Sequence, residues 1–152
     1  MFICHGNICR SPMAEFVMKH LVSQRGLSSI IEVRSSAVSS EELGNDTHYG
    51  TKKVLTAHKV PFSPRRATKL KKSDKDKYDF LVAMDESNIR WMKDIFGEKN
   101  NKVRLLMDYV GEHRDVADPW YTGDFETTYR DVLRGCTALL NKITGTDQEG
   151  EK

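Results

Sequence analysis

Cysteine is scarce and odd in number in this 152-residue chain, which carries three thiols, Cys4, Cys9 and Cys136. An odd set argues against a disulfide framework and for a reducing compartment, so a cytoplasmic location is expected. Cys4 and Cys9 have no second cysteine or histidine pair at ligand spacing, so no metal and no cofactor are expected. No apolar run approaches the ~20 residues of a membrane helix, and the first residues lack the pattern of a secretory signal, so no membrane partner is expected. Charge of one sign is also missing. The net charge of +2 leaves no electrostatic footprint for nucleic acid. The one basic stretch, Lys69 to Lys77, is interrupted by Asp74 and Asp76 and reads as a solvated loop. There is no internal repeat. The hydrophobic content of 38% is modest but suits a globular domain, and the length is enough for a substantial core. A single domain over residues 1–145 is expected, with a polar tail over 146–152.

What is present alternates between two periodicities. Met1-Phe2-Ile3 is a short apolar run. Met13, Phe16, Val17, His20 and Leu21 then recur at helical spacing, with Ser11 placed as N-cap and Pro12 at the first helical position. Ile30 to Val33 reads as a strand. A helix is expected from about Gly44 to His58, with Tyr49, Val54 and Leu55 inward. Tyr78 to Met84 reads as a buried strand, Ser87 to Phe96 as a short helix, and Val103 to Met107 as another strand. After a loop from about Asp108 to Gly123, the last helix carries Phe125, Tyr129, Val132, Leu133, Cys136, Leu139, Leu140 and Ile143 on one stripe. Cys136 therefore reads as packing. The alternation predicts an α/β fold: a three-layer sandwich with a small central parallel four-stranded sheet and helices on both faces.

Chemistry concentrates in Cys4-His5-Gly6-Asn7-Ile8-Cys9-Arg10-Ser11-Pro12. A loop this short, between a strand and a helix, can wrap one phosphate-sized anion. Its backbone N–H groups form a nest, and the helix start adds unpaired N–H groups and a positive dipole end. Arg10 can grip two phosphate oxygens with its planar fork. The same field favours the thiolate of Cys4, a nucleophile aimed at phosphorus. The bland alternative is a turn with two small buried cysteines.

A thiolate attacking a phosphate monoester needs a proton for the leaving oxygen, and the loop has none to give. Asp115-Val116-Ala117-Asp118-Pro119-Trp120-Tyr121 offers one. Proline keeps Asp118 extended and so can fix its direction. Trp120 and Tyr121 could line a slot for a flat ring. Read by spacing alone, the segment is equally a turn with an aromatic pair docking a helix.

Together these residues resemble the low-molecular-weight protein tyrosine phosphatases over nearly the full chain. The opening segment matches that family's phosphate loop, followed by Met13-Ala14-Glu15. Met84-Asp85-Glu86-Ser87-Asn88 matches a second segment, Asp118-Pro119 with its aromatics the acid loop, and Phe125-Glu126 to Tyr129 the start of the final helix. The resemblance implies Cys4 as nucleophile forming a phosphocysteine. It implies that Arg10 and the amides of His5, Gly6, Asn7, Ile8, Cys9 and Arg10 bind phosphate, and that Asp118 is acid and then base. Ser11 would donate to the thiolate, Asn7 would hold a left-handed conformation, and Ser36 would be among its supports. Cys9 would be a redox partner of Cys4, although a small buried loop residue reads equally well. Trp120 and Tyr121 would form the substrate pocket. Phosphotyrosine-containing proteins would be the substrates, with the enzyme a monomer or weak dimer.

The chain departs from the family pattern in places. Only three residues precede Cys4, so a short first strand is expected. Trp120 stands where Tyr or Phe is usual, and Val38 where Gly is common. Ser39 to Leu43 has no large aromatic but carries Glu41 and Glu42, so the rim is expected to be open and acidic on that side. Pro64 stands where a supporting histidine is frequent, so that contact is expected to be missing. Two other readings compete: a protein-arginine phosphatase, disfavoured by Ile8 where such enzymes carry Thr, and a non-catalytic phosphate-binding module, disfavoured by the presence of both Cys4 and Asp118. A thioredoxin-coupled arsenate reductase would need further cysteines to relay a disulfide, and only Cys136 remains.

Overall fold

Four three-residue strands carry the fold: β1 (Phe2–Cys4), β2 (Ser35–Ala37), β3 (Leu81–Ala83) and β4 (Val103–Leu105). They lie in the order β2-β1-β3-β4, all parallel, in a computed structural model that describes residues 1–97 and 102–146. The polar tail expected from residue 146 falls, from 147 onward, outside the described residues. The short first strand is no exception, since each of the four strands has three residues.

Strand alternation sorts the side chains into two layers. Phe2, Cys4 and Val82 face a core shared with α1 (Arg10–Gln24), α2 (Tyr49–Ala57) and α6 (Phe125–Thr144). Ile3, Leu81, Ala83 and Leu105 face the opposite core, under Met92 and Phe96 of α4 (Glu86–Phe96). A parallel sheet buried on both faces needs apolar residues at successive positions, as β1 and β3 supply. Two short helices, α3 (Asp74–Lys77) and α5 (Pro119–Thr122), complete the set. The expected three-layer α/β architecture is the one observed.

Several expected elements shift. The second strand lies at Ser35–Ala37 rather than Ile30–Val33: Ile30 is 75% exposed and its amide closes a turn onto the Leu27 carbonyl. The true strand is polar because its serines serve the site, so it carries no apolar signal. Helix α2 starts at Tyr49, with the His48 ring accepting from the Gly50 amide, and the preceding residues are held open by Asp46, which accepts from the Arg65 amide (3.1 Å) and Lys52 (2.7 Å). Tyr49 points outward, 77% exposed, rather than into the core. β4 ends at Leu105, where the chain turns into a 3-10 segment, Leu106–Val110. Ser11 sits inside the first turn of α1, whose N-cap is Cys9, and its hydroxyl is free for the loop.

Chain order reverses between β1 and β3: β1 leads outward to β2, and the chain then crosses to β3 on the other side. In open parallel sheets, the carboxyl ends of strands at such a switch point are where ligands bind. Cys4 ends β1 there, and Asp85 follows β3 by two residues.

Candidate active site

Between β1 and α1 the chain turns around the Cys4 sulfur. The Asn7 amide donates to Cys4 Sγ at 3.3 Å, and the Ser11 hydroxyl lies 3.0 Å from it. Asn7 adopts the left-handed conformation expected of it, with φ at 60°. Its side chain, fully buried, is held at both ends. The Nδ2 group donates to Ser11 Oγ (2.7 Å) and Ser35 Oγ (3.0 Å), while Oδ1 accepts from the Thr68 amide (3.1 Å) and from Arg65.

Ser35, not Ser36, supports the loop. Neighbouring strand residues face opposite ways. Ser35 faces α1 and donates to Glu15 Oε1 (2.5 Å), whereas the Ser36 hydroxyl is directed at the Met1 sulfur (3.2 Å). The support expected to be missing at Pro64 is supplied by the next residue. Arg65 donates from Nη1 to the Asn7 carbonyl (2.9 Å) and from Nη2 to Asn7 Oδ1 (2.5 Å). Glu15, only 6% exposed, balances that charge: its Oε1 lies 3.9 Å from Arg65 Nε, and Lys19 donates to Oε2 (2.6 Å). Burial holds the Arg65 guanidinium below the usual arginine range.

Arg10 reaches across the switch point. Its Nη1 donates to Asp85 Oδ2 (2.8 Å) and the Val116 carbonyl (2.9 Å), and its Nη2 to Asp118 Oδ2 (3.4 Å). Burial opposes its charge, but the surrounding Cys4, Asp118 and Asp85 outweigh that and push the guanidinium above its ordinary range. Asp85 is also N-cap of α4, in a reciprocal capping box with Asn88.

Asp118 caps α5, its Oδ1 accepting from the Trp120 amide at 3.1 Å, which leaves Oδ2 facing Arg10. The loop leading to it is pinned at its base. The Val116 amide donates to the Met84 carbonyl (2.8 Å), Thr128 Oγ1 to the Ala117 carbonyl (3.1 Å), and Arg114 pairs bidentately with Asp131 (2.9 Å each).

A pocket of about 130 Å³ lies over the loop. From the loop itself Cys4, His5, Gly6, Ile8, Cys9 and Arg10 line it. Glu41 and Glu42 complete the lining together with Asp118, Trp120 and Tyr121. The wall of residues 39–43 is acidic, as expected. Glu41 pairs with His5 Nε2 at 2.8 Å, and the His5 ring meets Trp91 edge-on at 5.9 Å. The Cys9 thiol is pushed up to about 12, first by burial and then by the Cys4 and Asp118 charges. Cys136 is fully buried in the α1–α6 core, as packing requires. Among the described residues, no group of three or more His, Cys, Asp or Glu is placed to hold a metal ion, and no helix is long and apolar enough to cross a membrane.

Of the residues singled out from sequence, all but Ser36 meet at this pocket or against its loop. Sequence reasoning missed Arg65, Ser35, Glu15 and the grip of Asp85 on Arg10. Glu15 carried a usable signal, since a carboxylate on an apolar helix face must find a cation.

A cysteine at the end of a parallel strand, in a tight loop that runs into a helix start at the switch point, places the chain in the class of open α/β proteins with a site at the strand ends. Comparison with known proteins narrows this. A family model described as low molecular weight phosphotyrosine protein phosphatase matches residues 1–149. The chain is 37% identical over 146 residues to the low molecular weight protein-tyrosine-phosphatase YfkJ of Bacillus subtilis (94% of each chain). It is 38% identical over 143 residues to PtpA of Staphylococcus aureus (93% of this chain, 91% of that protein). The crystal structure of YfkJ superposes with a TM-score of 0.91 (95% and 92% of the two chains). That of the Drosophila arginine phosphatase does so at 0.84 with 28% identity (93% and 95%). The chain therefore belongs to the low molecular weight phosphotyrosine protein phosphatase family, whose members are hydrolases.

Proposed function

We propose that this enzyme hydrolyses phosphotyrosine in proteins through a phosphocysteine on Cys4. The observation that carries the reading is the meeting of three groups from distant parts of the chain: the Cys4 sulfur, the Arg10 fork and the Asp118 carboxyl, with Asp118 Oδ2 3.4 Å from Arg10 Nη2. Loop amides and Arg10 hold the three non-bridging phosphoryl oxygens. Cys4 Sγ attacks phosphorus, the bond from phosphorus to the phenolic oxygen breaks, and Asp118 gives its proton to that oxygen. Water then attacks the phosphocysteine, Asp118 takes the water's proton, and the sulfur leaves as a thiolate. The Asn7 amide and the Ser11 hydroxyl stabilise that thiolate. Because the transition state is loose, most of the catalysis is positioning and charge stabilisation. Trp120 and Tyr121 flank the phenol ring, and Cys9 is the thiol that captures an oxidised Cys4 as a disulfide.

The acidic wall of Glu41 and Glu42 favours a second reading, since it would suit the cationic group of a phosphoarginine substrate. Ile8 in the pocket lining weighs toward tyrosine. Matched phosphotyrosine and phosphoarginine peptides separate the two. A kcat/KM at least tenfold higher on phosphotyrosine is expected, and the reverse order would move the enzyme to the arginine class.

A further inference from the structure

A second groove adjoins the catalytic pocket on its aromatic side. Residues 49, 50, 53, 54 and 57 share one face of α2, and this face opposes the first turn of α6 and Gly123 across a hollow of about 360 Å³. The Phe125 ring lines it, with Val54 nearly buried beneath. That ring can lie against α2 only because residue 50 is glycine, where a Cβ would come within 2.5 Å of it.

The wall between groove and pocket is a continuous set of rings. His48 stacks on Phe125 (5.2 Å) and Tyr49 (4.7 Å) and meets Trp120 edge-on at 5.6 Å. Trp120 lines the catalytic pocket on one side, while Tyr49 and Phe125 line the groove on the other. Two charges sit on the groove's rim. Glu126 is paired with His58 at 2.7 Å. Lys53 is exposed, and no ion-pair or hydrogen-bond partner for it occurs among the described residues.

We propose that this groove is a substrate subsite: it takes an apolar or aromatic side chain of the polypeptide that carries the phosphotyrosine, with Lys53 meeting a neighbouring acidic residue. The inference rests on the phosphotyrosine reading of the pocket. Continuity selects the occupant, because a chain whose phosphotyrosine is seated over Cys4 must leave past a rim, and Trp120, whose ring meets His48 edge-on, belongs to that rim on this side. The path from Trp120 through His48 to Tyr49 is on the order of 10 Å, which about three extended residues span. The side chain in the groove is therefore two to four residues from the phosphotyrosine on one flank. The exposed Tyr49 ring and the partly exposed Phe125 ring give it apolar surface, and Lys53, which has no partner among the described residues, gives the flank its charge preference.

The test compares a small aryl phosphate with phosphotyrosine peptides in which each flanking position is varied among Phe, Leu, Ser and Glu. Phe or Leu two to four residues away on one flank is expected to raise kcat/KM about tenfold over Ser, the effect of one well-buried contact. Tyr49→Ser should abolish that gain while leaving aryl phosphate turnover within about twofold, and Lys53→Glu should reverse the preference for an adjacent acid. The proposal is overturned by any of three results: no flank preference in the wild type, an equal loss on peptide and aryl phosphate in Tyr49→Ser, or self-association in sedimentation that Tyr49→Ser abolishes, which would make the occupant a second copy of the chain. Failure of the wild type on every aryl phosphate would instead contradict the hydrolytic reading. In that case the affinity of the Cys4→Ser variant for the same peptides, with and without the apolar residue, still decides the groove.

Discussion

Asn7, Arg10 and Ser11 on the phosphate-loop side are at most 2% exposed, whereas Trp120 and Tyr121 on the facing loop are 56% and 84% exposed. Every polar group of Asn7 is bonded, and three separate chain segments converge on it: Ser11 from α1, Ser35 from β2, and Arg65 and Thr68 from the strand-like run beside β2. The loop that carries Asp118 is pinned at its base by Val116, Ala117 and the Arg114–Asp131 pair and touched further on by Arg10 at Asp118 and the His48 ring at Trp120, yet the Trp120 and Tyr121 side chains stand in solvent. The difference assigns labour. Recognition of the phosphoryl group requires backbone N–H groups held in one arrangement before substrate arrives. In the proposed mechanism, proton delivery and substrate choice fall to the loop whose aromatic side chains are exposed.

Substitutions on the two sides should therefore fail differently. On the proposed mechanism, Asp118→Ala removes the proton donor and spares the loop that holds Cys4 and Arg10. A kcat loss of about 10²–10⁴-fold on phosphotyrosine is expected, with KM nearly unchanged. The loss should shrink as the leaving group becomes more acidic, and an equal loss across a leaving-group series would argue against Asp118 as the acid. Arg65→Met acts on the buried side. It strips the Asn7 carbonyl and Oδ1 of a charged donor and Glu15 of a nearby cation, so a destabilisation of about 2 kcal/mol is expected, read as a fall of roughly 4–8 °C in Tm. The inhibition constant for inorganic phosphate should rise more than kcat falls, because the nest loosens while the acid stays in place. Arg65→Lys should rescue only part, since an ammonium cannot reproduce the two-pronged contact with Asn7.

The smallest effect on resting activity is expected at Cys9. Its thiol, held up near 12, keeps its proton at neutral pH and does not compete with Cys4 for phosphorus. Cys9→Ser should leave turnover within a few-fold of wild type. After inactivation by hydrogen peroxide, the wild type should recover on adding a thiol reductant and the variant should not. Equal recovery in both would remove Cys9 from the redox role.

Legibility in the sequence followed how local each feature is. The loop from Cys4 to Pro12 and the Asp118-Pro119 segment were readable because their chemistry lies within a few contiguous residues. The α6 stripe was readable because one helix face supplies it. β2 was hidden: Ser35 and Ser36 form a strand because Phe2 and Ile3 pair with them and because Glu15 and Asn7 need a hydroxyl, not because they are apolar. Arg65 was hidden for a related reason. Its position on a loop, between Pro64 and Arg66, says nothing until tertiary packing brings it 58 residues back to Asn7. The first strand, short in sequence, is ordinary in a sheet whose strands are all three residues long.

The measurement that bears most directly on the mechanism is rapid acid quenching of the enzyme during turnover of an aryl phosphate with a good leaving group and a labelled phosphoryl group. A burst of phenol approaching one equivalent is expected, with the label recovered on the peptide that contains Cys4 and absent in Cys4→Ser. Label on another residue, or undiminished turnover by Cys4→Ser, would contradict the covalent mechanism.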